Sequence, residues 1–353
     1  MHKKINLDTF CWIPTRGTFL HFSKNIKKIQ NLNLDRFLYV IIYENLDLKI
    51  HNLLRSKKYK NFLYINKKIL RIKDNINFGN ILIIHKFLKN KFNINFKYFM
   101  QIGDDDFFVN RNSYIKRLKI LDSNKEITFI VSPVSLANYK EKRDLFLESK
   151  ILSGKEYLEE LANNENVQHS SCNSIFRIDD LIKSEATIGI SLNKMNLWDG
   201  FGMDYNLYLK LAFLPGKKII FLDEKPSRII MQHNKSMTTS NPIEFSYCYY
   251  LYSFHLKNLL TKKYNLGKNT FDSFLKKRFM EMIRCYFTVH LSNSNNYTSN
   301  NNIPEKFITF CLKSAFFELK FFTFIKVLLY IINFYCLSVK INSKYIRLVK
   351  LYF

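Results

Sequence analysis

Short apolar runs separated by stretches with helical spacing fill the first two thirds of this 353-residue chain. Runs at residues 10–14, 37–43, 61–65 and 96–102 read as strands, and helices are predicted from about Thr18, Leu46, Asn80 and Arg111. Further strands are predicted at 127–131, 174–178, 218–222 and 227–231, with one helix from Asp179 and another that carries Leu207, Leu209, Leu211 and Ala212 and stops at Gly216. A polar, charged excursion over 138–167 interrupts the series; it reads as a lid, or as a surface loop with a short helix near Glu156. Such alternation of strand and helix predicts an α/β fold: a mainly parallel, doubly wound sheet whose ligands bind at the carboxyl ends of the strands.

Beyond Pro242 the pattern turns to aromatic, Lys-rich helices, broken by the polar stretch 292–302. We therefore divide the chain into an α/β unit, residues 1–241, and a helical, basic and aromatic region, residues 242–353. Residues 321–339 are apolar over a length that would span a bilayer, but Lys326, Asn333 and Lys340 recur every seven residues and form one polar stripe. The stripe predicts an amphipathic helix, lying on a membrane or packed on the helices before it.

A hydrophobic content of 47% with 16% aromatics excludes disorder. The net charge of +26 is spread along the whole chain among Asn, Ile, Phe and Tyr, which points to an anionic surface or a phosphate-bearing substrate rather than to a polynucleotide. The six Cys form no CxxC pair and read as reduced, buried thiols, and the basic N-terminus has no long apolar run behind it. Cytoplasmic location follows as the expectation, with peripheral contact at the inner face of the cytoplasmic membrane. With nine Gly in all, no Gly-rich phosphate loop occurs.

Candidate chemistry centres on residues 101–109, where Asp104, Asp105 and Asp106 follow the apolar run 96–102 and precede Phe107, Phe108 and Val109. Three carboxylates at the end of a buried strand repel one another unless a cation shares them, and a hard divalent ion prefers oxygen ligands.

Pro14, Thr15 and Arg16 end the first strand, Gly79 and Asn80 open the helix before the acidic strand, the Asp run follows it, and Gly202, Met203 and Asp204 start a later helix. In that order and spacing, over about residues 10–240, the chain resembles the GT-A glycosyltransferases, in particular the family-2-like inverting, DxD-containing bacterial enzymes. The resemblance implies a GT-A, Rossmann-like, mainly parallel sheet flanked by helices, here with a helical C-terminal extension. It also implies transfer of a sugar from a nucleotide-sugar donor to a glycan or lipid-linked acceptor, with Mn²⁺ or Mg²⁺ as cofactor, in bacterial surface polysaccharide synthesis. By position, Pro14, Thr15, Arg16, Glu44 and Gly79 match the nucleotide pocket. Asp104 and Asp105 match the donor-binding part of the DxD region, Asp106 and His233 the metal contacts, and Asp204 the catalytic base.

Some positions depart from that pattern. Tyr43, Glu44, Asn45, Leu46 and Asp47 stand where an Asp-rich stretch is usual, and Met203 replaces an acidic residue before Asp204. The working pair is Asp104 with Asp106, or Asp105 with Asp106. Asp199 competes with Asp204 as base, and Asp204 is also a plausible helix N-cap. His233 also reads as an ordinary strand-end histidine, and Trp198 and Phe201 as core packing rather than a sugar platform. Arg16 and Lys235 are candidates to stabilise diphosphate charge. Two other functions share some of these features: a nucleotidyltransferase acting on a sugar phosphate, which wants a Gly-rich, Lys-bearing first loop, and a basic nucleic-acid-binding protein, whose motifs are missing here.

Overall fold

The computed structural model describes residues 7–15, 19–44, 52, 61–72, 79–103, 106–137, 140–164, 167, 173–188, 203–231, 242–267 and 269–291. The first strand, β1 (Thr9–Thr15), is buried except at Pro14 and runs parallel to β2 (Phe37–Tyr43), with Thr15 level with Tyr43. On its other side lies β4 (Tyr98–Gln101), also parallel, and β3 (Phe62–Asn66) extends the sheet beyond β2. Helices α1 (Phe19–Leu32) and α2 (Asn80–Phe92) lie between these strands in sequence.

The second half of the large sheet is mixed. Strand β10 (Ser174–Arg177) pairs antiparallel with both β4 and β6 (Ile127–Val131); β11 (Lys218–Phe221) is parallel to β6, and β9 (Lys150–Leu152) closes the row antiparallel to β11. The eight strands follow the order β3-β2-β1-β4-β10-β6-β11-β9. Side chains alternate between the faces of the sheet. Phe10, Trp12, Val40, Ile42 and Phe99 therefore enter one core, and Cys11, Ile13, Tyr39, Ile41 and Tyr98 the other. Helices α1 and α3 (Arg111–Ser123) cover the second face, through Phe22, Ile26, Tyr114 and Leu118. Helix α2 covers the first, with Ile81, Ile84 and Leu88.

The polar excursion after β6 is more ordered than its composition predicts. Strands β7 (Val134–Ala137) and β8 (Lys142–Leu145) form an antiparallel pair, and β12 (Arg228–Met231) and β5 (Phe107–Phe108) complete a smaller four-stranded sheet in the order β5-β12-β7-β8. The strand predicted at 227–231 is β12, whereas β5, β7 and β8 are two to four residues long, too short for a period of two to register. Helix α4 (Gly154–Asn163) then starts with a capping box, in which Ser153 accepts from the Glu156 amide and the Glu156 carboxylate accepts from the Ser153 amide. A Cβ on Gly154 would stand 2.5 Å from the Ala212 carbonyl oxygen, so only glycine fits that approach.

Helix α5 (Ile178–Ser184) follows β10, and α6 (Met203–Ala212) leads to β11 through a turn in which Gly216 adopts φ +70°. In the region beyond residue 241, α7 (Pro242–Tyr264) and α8 (Asp272–Leu291) bury Cys248, Tyr252, Leu256, Phe274, Phe279 and Met282 in the same core as Phe10 and Trp12. Among the described residues no helix is long and apolar enough to cross a membrane. The predicted helix from Leu46, apart from Asn52, and the amphipathic stretch 321–339 lie outside the described residues.

Candidate functional site

The parallel strands bring Thr15, Tyr43 with Glu44 after it, Asn66 and Gln101 to one edge of the large sheet, their carboxyl ends. Because β10 runs the other way, Asn173 and Ser174 come to that edge too, level with Val131 of β6. The acidic turn leaves β4 here. Ile102 donates its amide to the Trp12 carbonyl at 3.1 Å, and the buried Asn25 of α1 donates its side-chain amide to the Gly103 carbonyl at 3.2 Å.

Asp104 and Asp105 lie outside the described residues, as do Arg16, Trp198, Asp199, Phe201, Gly202, His233 and Lys235. Asp106 is described and buried. One carboxylate oxygen pairs with the guanidinium of Arg228, itself fully buried, and the other accepts the Met231 amide at 3.1 Å. Arg228 and Met231 belong to β12, which pairs with Phe107 and Phe108 immediately after the acidic turn. Arg228 was not anticipated as a site residue, although a lone cation in the apolar run 227–231 signals a buried carboxylate elsewhere. Lys28 of α1 stands 3.9 Å from the centre of the Phe107 ring.

Of the predicted nucleotide-pocket residues, Thr15 is buried and Pro14 half-buried at the end of β1. Glu44 is ion-paired at 2.6 Å with Lys67, and its carbonyl accepts the Asn66 side chain at 3.1 Å. Gly79 immediately precedes α2. The predicted base, Asp204, lies in the first turn of α6, where the phenol of Tyr249 from α7 donates to its Oδ2 at 3.3 Å. One helical turn further, Tyr208 reaches the sheet edge, with its hydroxyl 2.7 Å from Ser174 Oγ and 3.2 Å from Asn173 Oδ1. That links the Asp204 helix to the strand beside β4.

A second buried guanidinium lies under the same edge. Arg117 of α3 gives Nη1 to the Asn173 carbonyl at 3.0 Å and packs on the Tyr114 ring, while Tyr114 donates to the Ser227 carbonyl at 2.9 Å. Burial holds the Arg117 guanidinium below its ordinary proton affinity. Among the described residues no cluster of three or more His, Cys, Asp or Glu is placed to hold a metal. The chemistry of the acidic run nevertheless suits a hard divalent cation, since its donors are carboxylate oxygens.

No protein-family model matches the chain, and no curated protein matches it in sequence. Solved structures do. The crystal structure of S. aureus TarS 1-349 matches with a TM-score of 0.53 at 11% identity, over 91% of this chain and 81% of that one. A crystal structure of S. aureus TarS matches with the same TM-score and identity over 88% of this chain, which spans about half of that longer chain, 49%. The mannosyltransferase PcManGT from Pyrobaculum calidifontis, in complex with GDP-Man and Mn²⁺, matches over 96% of this chain and 88% of that one at 9% identity; its TM-score of 0.46 adds no argument. The fold expected from the sequence, an α/β fold with a large sheet flanked by helices, is the fold found.

Proposed function

We propose that this protein is a metal-dependent glycosyltransferase that moves a sugar, with inversion, from a nucleotide-sugar donor to a glycan or lipid-linked acceptor of a bacterial surface polysaccharide. The observation that carries this reading is the run of three consecutive Asp that follows β4 at the carboxyl edge of the sheet, its last member, Asp106, paired with the buried Arg228. A run of carboxylates at the ligand-binding edge of an α/β sheet suits a divalent cation and the phosphates that accompany it.

In this reading Pro14, Thr15 and Arg16 bind the nucleotide, with Glu44 and Gly79 at its margins. Asp104 and Asp105, with His233, would hold the ion, while Asp106, expected as a metal contact, has its oxygens engaged by Arg228 and the Met231 amide and serves instead to anchor the acidic run. Bound there, Mn²⁺ or Mg²⁺ supplies Lewis-acid stabilisation to the departing diphosphate. Arg16 and Lys235 add positive charge at the same leaving group. Asp204 takes the proton from the acceptor hydroxyl, which is too weak a nucleophile at neutral pH without a base.

A panel of UDP-glucose, UDP-galactose, UDP-N-acetylglucosamine and GDP-mannose, each with Mn²⁺ or with chelator, tests the reading by thermal stabilisation. At least one donor should raise the melting temperature only with Mn²⁺, and Asp104→Asn or Asp105→Asn should abolish that rise. Stabilisation indifferent to chelator and to both substitutions would contradict it.

A further inference from the structure

Asp204 meets a different environment from Asp106. Tyr249 of α7 donates to its Oδ2 at 3.3 Å, and the Tyr249 ring packs edge-on against Tyr205 with centroids 4.4 Å apart. Tyr205 in turn packs edge-on against Phe274 of α8 at 5.5 Å, and the Arg278 guanidinium lies 5.3 Å from its ring. Among the described residues the titratable groups around Asp204 include Tyr205 and Tyr208 of its own helix, Tyr157 of α4 and Tyr249 of α7, with Arg278 and Glu281 of α8 behind Tyr205. Burial pushes the phenols of Tyr157, Tyr208 and Tyr249 well above the ordinary value, so each keeps its proton.

We propose that Tyr249 is a positioning residue for Asp204, so that the C-terminal helices set the direction and the charge of the base. The inference rests on the reading of Asp204 as the base. A carboxylate turns about its Cβ–Cγ bond, and a base must aim a lone pair at the proton it removes. A phenol held by ring packing fixes the carboxylate plane and favours its ionised form. Helices α7 and α8 lie outside the strand-and-helix series that builds the sheet, yet they bury against α6 and α4 and deliver this hydroxyl.

Tyr249→Phe tests this, because it keeps the ring against Tyr205 and removes only the donor. The substrate is whichever sugar nucleotide of the four-member panel stabilises the protein most with Mn²⁺, with water as acceptor. In Tyr249→Phe, kcat for hydrolysis should fall about tenfold with KM unchanged. The acidic limb of the kcat profile should move up by roughly half to one pH unit, since the ionised carboxylate has lost a donor. In an Asp204→Asn background the same change should add nothing. A Tyr249→Phe enzyme with unchanged kcat and pH profile, beside an inactive Asp204→Asn, overturns the inference and leaves the base intact. A loss that adds in full to that of Asp204→Asn also overturns it, while an active Asp204→Asn overturns the base assignment itself.

Discussion

The two edges of the large sheet handle buried charge in opposite ways. At the amino edge Arg36 serves two carboxylates, pairing with Asp8 and, at 2.7 Å, with Asp122, while Tyr98 donates to Asp122 at 2.8 Å. Nearby, Arg177 caps the carbonyls of Leu121, Asn124 and Ile127 at 2.7, 3.0 and 3.1 Å. Charges there are matched and touch water. At the carboxyl edge the fully buried Arg228 pairs with the buried Asp106, and a second buried cation, Arg117, leans on a carbonyl and a ring. The amino edge fastens its charges where they touch water, whereas the carboxyl edge buries its ion pair within the fold.

The largest effect should come from breaking the buried pair. Arg228→Met leaves Asp106 without its cation and should cost about 3–5 kcal/mol in denaturant unfolding, whereas Arg228→Met with Asp106→Leu should recover most of that loss. A stability loss below about 1 kcal/mol in the single variant would mean that the pair does not anchor the turn. Arg36→Met, at the solvent-touched edge, should cost less, about 1–2 kcal/mol, and leave Mn²⁺-dependent donor binding unchanged. Equal losses at the two edges would erase the contrast between them.

A smaller effect concerns pH. Burial alone would raise the Asp122 carboxyl, but hydrogen bonds from Arg36 and Tyr98 outweigh it and hold the group below the usual carboxylate range. A carboxyl depressed in the folded state stabilises the protein above its unfolded value, about 3.9, and that contribution is lost as pH falls through the folded value. Between about pH 5 and 2.5, the urea midpoint of the wild type should therefore fall more steeply than that of Asp122→Asn. Parallel curves would remove Asp122 from the fastening.

Much of this fold was legible because the central strands are buried on both faces. Strand β2, at Phe37–Tyr43, and strand β6, at Ile127–Val131, lie where their apolar runs stand in the sequence. Strands β5, β7 and β8 were not legible. They are short, and β5 and β7 pair with β12 far along the chain while β8, among the described residues, is held only by β7, so their stability comes from pairing that local composition does not record. The sheet is also less parallel than alternation suggested, since β10 turns against both of its neighbours. Of the candidate site, the order of the motifs placed the acidic turn after β4 and Asp204 at a helix start. Arg228, Asn25 and Tyr249 escaped notice because each acts across long sequence distance: Arg228 on Asp106, Asn25 on the Gly103 carbonyl and Tyr249 on Asp204. Only Arg228, a cation in an apolar strand, left a local trace.

The central claim is that the carboxyl edge binds a sugar nucleotide and that Asp204 removes the acceptor proton. It is tested most directly by measuring turnover and Mn²⁺-dependent donor affinity on one preparation of Asp204→Asn. Asn caps a helix about as well as Asp, so a capping role predicts an active variant, whereas a base predicts donor affinity near wild type with turnover down by roughly two to four orders of magnitude. Near-normal turnover in Asp204→Asn would contradict the account.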